Sequence, residues 1–278
     1  MNLFAHIDLL HALAGLLVGL LVGLTGVGGG SLMTPLLVLL FGVAPQTAVG
    51  TDLLYAAVTK ITGSAVHGSR STVDWRIVRR LAYGSVPAAL LSLVVLYWVG
   101  PINRHAQSVI LIALAVLLGL SSLAVLLGNR LVKLAKARDP LDPPYKVALG
   151  TIMLGALIGV AVSVSSVGAG AIGVTVLLIL YPNMPVVRIV GSDIAHAVPL
   201  ALIAGIGHWL IGDVDVTLLV NLLIGSIPGV IIGSLLSTHA PDRVLRPLLA
   251  VVLALSAWQL MVKTLISKPV LGTSSARK

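Results

Sequence analysis

The chain contains no cysteine. Disulfides, thiolate nucleophiles and persulfide carriers are excluded together. Charge is scarce too: Asp, Glu, Lys and Arg make up 10% of the 278 residues, where a soluble domain carries roughly 25%. Hydrophobic residues make up 58%, and the mean hydropathy is +1.08. No soluble core hides this much apolar surface. The composition therefore implies an all-α polytopic membrane protein, with ~20 apolar residues per crossing. The net charge of +9 would point to nucleic acid in a soluble protein. Here most basic residues fall between apolar runs, where membrane topology accounts for them, and no nucleic-acid partner is expected. No metal-ligand spacing and no Ser/His/Asp nucleophile is found, so neither a metal, a cofactor nor enzymatic activity is expected.

What the chain does have is glycine in the wrong place for a continuous helix. Gly26-Val27-Gly28-Gly29-Gly30-Ser31 separates the apolar runs 7–24 and 32–42. Each glycine inside a helix costs about 1 kcal/mol relative to alanine, so the cluster breaks the helix. At membrane depth, irregular backbone survives only where protein buries it or where it lines a wet cavity. The first run lacks a small-residue cleavage site and continues into the break, so it reads as a retained helix. A second break, Ser165-Ser166-Val167-Gly168-Ala169-Gly170, lies at the corresponding place in the second half. Paired breaks of this kind point to a transporter's binding site.

Ten apolar segments follow: about 7–24, 32–42, 46–67, 77–99 and 105–127, then 147–164, 171–181, 187–209, 216–236 and 244–266. The second segment of each half is short, either re-entrant or a short crossing. An offset of 141 residues takes Val49-Gly50-Thr51-Asp52 onto Val190-Gly191-Ser192-Asp193, His67 onto His208, Asp74 onto Asp215, and Gly84-Ser85-Val86-Pro87 onto Gly225-Ser226-Ile227-Pro228. At the breaks the offset is 140, which implies one inserted residue near 181–183. Matches at so steady an offset indicate internal duplication. The expected organisation is a first transmembrane repeat at 1–128, a basic cytoplasmic linker at 129–146, a second repeat at 147–266 and a disordered tail at 267–278.

Charge gives the orientation. The linker carries Arg130, Lys133, Lys136, Arg138 and Lys146, and segment 69–80 carries Arg70, Arg76, Arg79 and Arg80; both belong in the cytoplasm. The repeat-equivalent of the latter, 210–217, carries Asp213 and Asp215 and no basic residue, and belongs outside. Equivalent loops on opposite faces make an inverted-topology repeat of about 8–10 transmembrane or re-entrant segments with glycine-broken helices. Lys263, Lys268, Arg277 and Lys278 at the C-terminal end stand against this placement, which puts both termini outside. Ladders of small residues, Gly15/Gly19/Gly23, Gly84/Ala88/Ser92 and Gly225/Gly229/Gly233, mark faces of close helix approach. They bring the halves together or hold each hairpin.

The run 23–67, GLTGVGGGSLMTPLLVLLFGVAPQTAVGTDLLYAAVTKITGSAVH, resembles the signature of the TauE/SafE family of sulfite exporters, and 159–208 echoes it. The resemblance implies a transporter of small sulfur-containing anions such as sulfite, sulfoacetate and other organosulfonates across the plasma (cell inner) membrane. The second half departs from the first: Ser165-Ser166 stands for Thr25-Gly26 and Ala169 for Gly29, and no proline matches Pro35.

A helix restarting after a break presents unpaired N–H groups and a partial positive charge, which attract oxyanions. Candidate substrate contacts are therefore Thr25, Gly28, Gly29, Gly30 and Ser31 at the first break, and Ser165, Ser166, Gly168 and Gly170 at the second. A nucleotide loop is ruled out, because no GK[ST] follows; tight packing alone is the plain alternative. Thr51-Asp52 and Ser192-Asp193 are placed at the opening of the third helix of each half, either as caps or as proton-coupling or gating groups. Lys60, with Ala201 as its repeat-equivalent, contacts the anion, pairs with Asp52 or snorkels to the interface. His196 lies one turn beyond Asp193 and is a candidate partner for it. His67 and His208 read as interfacial or capping residues. Alternating access is the expected mechanism. A passive anion channel, or a membrane interaction protein without cargo, remains open. The expected partners are a small oxyanion and the lipid bilayer, with a homodimer as a further expectation.

Overall fold

In a computed structural model, residues 8–25, 30–67, 73–99, 104–136, 144–168, 170–236 and 242–266 are described. Ten helices follow in order: α1 (Leu9–Thr25), α2 (Gly30–Leu39), α3 (Pro45–His67), α4 (Trp75–Val99), α5 (Arg104–Lys136), α6 (Pro144–Ser165), α7 (Ala171–Leu180), α8 (Val186–Ile211), α9 (Val216–Leu236) and α10 (Asp242–Ile266). Among the described residues there is no strand. The apolar segments of the sequence and the helices coincide, with two differences. Helix α5 continues through Lys136, so the start of the basic linker is helical. Helices α3 and α8 begin at Pro45 and Val186, within a residue of the expected segments, so Thr51 and Ser192 lie more than a turn inside these helices rather than at their openings. A proline at or just before the first helical position starts a helix at no hydrogen-bonding cost, as Pro45 and Pro185 do here. The tail, 267–278, and residues 26–29 of the first break lie outside the described residues.

Six helices (α4, α5, α6, α8, α9 and α10) are long and apolar enough to cross a membrane. Large apolar side chains cover their outer faces, among them Leu91, Tyr97 and Trp98 on α4 and Trp258 on α10. Such a continuous apolar exterior suits hydrocarbon rather than water, and the protein is a multi-pass membrane protein. Helix α3 has 23 residues but carries Gln46, Asp52 and Lys60, and it is packed inside against α8, α9 and α2. Helices α2 and α7 have ten residues each, about 15 Å, half the ~30 Å of a hydrocarbon core.

The helix contacts come in matched pairs. Helix α1 packs along α9, and α6 packs along α4. Helix α3 meets α9 as α8 meets α4; α2 lies on α3 as α7 lies on α8; α10 touches α2 as α5 touches α7. The contacts of α3 on α8 and of α5 on α10 map onto themselves. Exchanging α1–α5 for α6–α10 thus preserves these contacts among the described residues, although α5 on α6 has no such counterpart. Each set is completed by the other, since its first helix lies on the partner set's fourth.

The small-residue ladders make these joints. A Cβ on Gly15, Gly19 or Gly23 would strike the backbone of Leu222, Ser226 or Val230. A Cβ on Gly225, Gly229 or Gly233 would strike that of Ala12, Leu16 or Leu20. On the other side Gly84 abuts Ile152, and Gly155 and Gly159 abut Leu81 and Ser85. Of the two roles expected for the ladders, joining the first five helices to the second five is the one observed. Lipid offers no hydrophobic drive between helices, so close backbone packing of this kind supplies it.

Candidate functional site

The short helices are fastened at their C-terminal ends, where carbonyls are unpaired and cations are favoured. Lys263 Nζ on α10 donates to the Val38 carbonyl of α2 at 2.9 Å. Tyr181, the C-cap of α7, lies 2.8 Å from the Thr151 hydroxyl and accepts from Arg80 at 3.1 Å. Their N-terminal ends point inward, and there each meets a carboxyl. On α3, Asp52 is fully buried; its Oδ2 accepts from the Thr34 hydroxyl in the first turns of α2, and the Thr34 backbone lies beside it as well. On α8, Asp193 is 2% exposed and faces the backbone N–H of Gly170, the N-cap of α7. A Cβ on Gly173 would fall 2.7 Å from Asp193 Oδ1. Equivalent carboxyls thus sit against the positive ends of equivalent half-helices, the favourable place for negative charge.

The second break is shaped for this. Ser165 closes α6: its hydroxyl donates to the Ala161 carbonyl at 2.8 Å and accepts from the Val167 N–H at 3.2 Å. The chain then turns through positive φ at Ser166 (59°), Gly168 (129°) and Gly170 (114°). Glycine adopts such angles freely, whereas a serine at positive φ is uncommon and usually strained. Ser166 faces Asp52 from the other set of helices and interacts with it, though among the described residues its Oγ and Asp52 Oδ1 have no partner in good hydrogen-bonding geometry. Lys60, half-buried on α3, is in electrostatic reach of both Asp193 and Asp52. One cation therefore serves two carboxyls from opposite sets of helices.

Two further hydrogen bonds cross between the sets at equivalent positions. The Asp74 N–H donates to Ser192 Oγ at 2.8 Å, and the Asp215 N–H donates to Thr51 Oγ1 at 3.1 Å. Asp74 and Asp215 in turn cap α4 and α9, accepting from the Arg76 and Leu218 N–H groups at 2.9 Å. Thr51 and Ser192 therefore fasten the start of the partner set's fourth helix rather than open their own. Thr51→Val and Ser192→Ala should each lower stability by about 1 kcal/mol, the worth of one such bond. Melting of the purified variants checks this, and an unchanged midpoint in both would show the clasps to be incidental.

The sulfite exporter TauE/SafE family model matches residues 11–260. The chain belongs to that family. It is 41% identical over 250 residues to the Bacillus subtilis protein named "probable membrane transporter protein YjnA", covering 90% of this chain and 98% of that one. A second B. subtilis protein, "probable membrane transporter protein YdhB", is 25% identical over 83% of this chain and 90% of its own length. A Methanocaldococcus jannaschii protein, also named a probable membrane transporter, is 23% identical over 73% of this chain and 72% of its own length. No solved structure matches. The protein is thus a membrane transporter of the TauE/SafE type.

Set against that family, the candidate residues divide. Asp52, Lys60, Ser166, Gly170 and Asp193 come together at the centre. Gly168 shapes the second break, and Gly30 and Ser31 open α2. Gly28 and Gly29 lie outside the described residues. The Thr25 hydroxyl donates to its own helix at Leu21, 2.7 Å away, and Ser165 is likewise spent on backbone, as is usual for hydroxyls near helix ends. His196 does not pair with Asp193; its Nε2 is 2.7 Å from Ser85 Oγ on α4. His208, in the last turn of α8, is 1% exposed; it donates to the Ser163 carbonyl at 2.8 Å and stands 3.4 Å from Asp213, while its own carbonyl accepts the N–H of the C-cap residue Gly212. The side chain of His67 lies outside the described residues. Sequence reasoning missed Thr34, Tyr55, Ser85 and Ser226. The 141-residue offset pairs Tyr55 with His196 and Ser85 with Ser226, and that register was the available signal.

Proposed function

We propose that the protein is a plasma-membrane transporter of a small sulfur-containing oxyanion, such as sulfite, sulfoacetate or a similar organosulfonate. It exports that anion by alternating access of two inverted halves, with the proton as coupling ion. The observation that carries this reading is the pair of buried carboxyls, Asp52 and Asp193, each lying against the N-terminal end of a half-helix. Those ends are built to hold negative charge, and in this arrangement the protein's own carboxyls hold the place. A proton on a carboxyl removes its charge and frees the N-terminal donors for an oxyanion. Cargo and proton then arrive together, and the buried site stays close to neutral, as a membrane interior demands. Lys60 offsets the charge that remains. Rocking one half against the other would carry the site between faces, and the exchanged packing of α1 on α9 and α6 on α4 supports that two-body description. The export direction follows the family description alone.

The test is thermal stabilisation of the purified protein by a panel of small anions: sulfite, sulfate, thiosulfate, sulfoacetate and short carboxylates. An anion at a hundred times its dissociation constant should add ~2.7 kcal/mol, and sulfite or a sulfonate should lead the series. A panel in which nothing shifts the melting point would overturn the reading, and a lead by carboxylates would move the cargo to another class.

A further inference from the structure

The offset that relates the two carboxyls also relates two pairs of side chains beside them. Ser85 on α4 and His196 on α8 are both buried and joined by a 2.7 Å hydrogen bond. Their equivalents, Ser226 on α9 and Tyr55 on α3, face each other across the joint between the two sets of helices. Both are fully buried and lie close enough to interact with each other, yet among the described residues neither hydroxyl has a partner in good hydrogen-bonding geometry. One station is closed by a short hydrogen bond, whereas its mate is only loosely paired. A buried hydroxyl without a well-made hydrogen bond is rare in a native structure and calls for an explanation. Tyr55 lies one helical turn from Asp52 on the same face of α3. Asp52 is in electrostatic reach of Tyr55, and Asp52 Oδ1 and Ser166 Oγ, which face each other, are also buried without a partner in good hydrogen-bonding geometry among the described residues.

We infer that the Tyr55 and Ser226 hydroxyls bind the oxygens of the transported oxyanion, with Ser166 as a third donor from the second break. This inference rests on the transport reading above and adds to it the groups that touch the cargo. Hydroxyl donors suit the task because they offer hydrogen bonds without a counter-charge. They come from α3, from the break before α7 and from α9, so relative movement of the two sets of helices would open or close the site. A carboxylate among hydroxyls could also hold a monovalent cation. The presence of Lys60 in reach of Asp52 weighs against a second positive charge here.

The experiment measures thermal stabilisation of the full-length protein by sulfite and by sulfoacetate, each in choline and in sodium salts. It compares wild type, Tyr55→Phe, Ser226→Ala and the lipid-facing control Tyr97→Phe, whose residue is 69% exposed. The expected result is a dissociation constant raised about tenfold or more in Tyr55→Phe and in Ser226→Ala, the loss of one hydrogen bond to a charged group. Tyr97→Phe should match wild type. Should Ser226→Ala fold poorly, Ser226→Cys removes the hydroxyl at similar size, and Tyr55→Phe removes a single oxygen. If wild type binds the anion and both hydroxyl variants bind it equally well, this inference falls while the transport reading stands. If wild type binds no anion, the transport reading falls and takes this one with it. Stabilisation by sodium rather than by the anion, lost in Tyr55→Phe, would overturn the assignment in favour of a cation site.

Discussion

Gly225→Val should leave little folded protein. Helix α9 meets α1 through Gly225, Gly229 and Gly233, and α1 answers with Gly15, Gly19 and Gly23. At Gly225 the atoms that a side chain would strike are the Ala12 carbonyl and the Leu16 nitrogen. These are backbone atoms, held in their own helix, with no rotamer to turn aside. Overpacking of a well-filled core typically costs 1–3 kcal/mol, and a clash against backbone along an entire helix pair should exceed about 3 kcal/mol. That is a large part of the 5–15 kcal/mol that keeps a protein folded. Gly84→Val should do the same to the equivalent joint, where Ile152 and Ala156 press on α4. Gly119→Ala is the control: nothing lies within 4 Å of a Cβ at that position on α5, and the added helix propensity should stabilise by up to about 1 kcal/mol. The yield of monodisperse protein in detergent and its melting point measure all three. A Gly225→Val protein as stable as wild type would show that the two ladders do not hold the sets of helices together.

Asp52→Asn and Asp193→Asn should each abolish accumulation of anion driven by a pH gradient while leaving the protein folded. Asparagine keeps the shape of the side chain and its acceptor for the Thr34 hydroxyl or the Gly170 N–H, but it cannot exchange a proton. If each carboxyl alternates between holding a helix N-terminus and holding a proton, the variant has lost the exchange and should cut gradient-driven flux by at least tenfold, about 1.4 kcal/mol in the coupling step. The near-equivalence of the two sites predicts similar losses. Lys60, which has Ala201 as its equivalent, predicts an asymmetry in what remains. Sulfite flux into proteoliposomes, with the gradient imposed and then collapsed, reads both effects. A variant that still accumulates anion as the wild type does would remove that carboxyl from the coupling path.

Much of the architecture was legible in the sequence because it depends on local quantities. Apolar runs, glycine clusters and prolines act through transfer free energy and backbone freedom within a few residues, and the ten segments from Leu9 to Ile266 follow from them. Helix starts were harder. Thr51-Asp52 resembles a cap in isolation, but Pro45 starts α3 earlier and places the aspartate inside the helix. Tyr55 and Ser226 sit in apolar stretches of sequence, where the 141-residue register is the one signal; their burial together is what marks them out.

By itself the sequence determined that the chain lives in a membrane, where its helices lie, and that its glycine ladders mark close contacts. Each of these is written in neighbouring residues. Only the tertiary structure decided what the ladders touch: α1 goes to α9 and α6 to α4, across more than 200 and about 70 residues of chain respectively. It alone placed Asp52 and Asp193 against the half-helices, turned Thr51 and Ser192 into clasps for the partner set, and drew His196 to Ser85. Those pairings join residues distant in the chain through the fit of one helix surface to another, and local propensity carries no information about such fit.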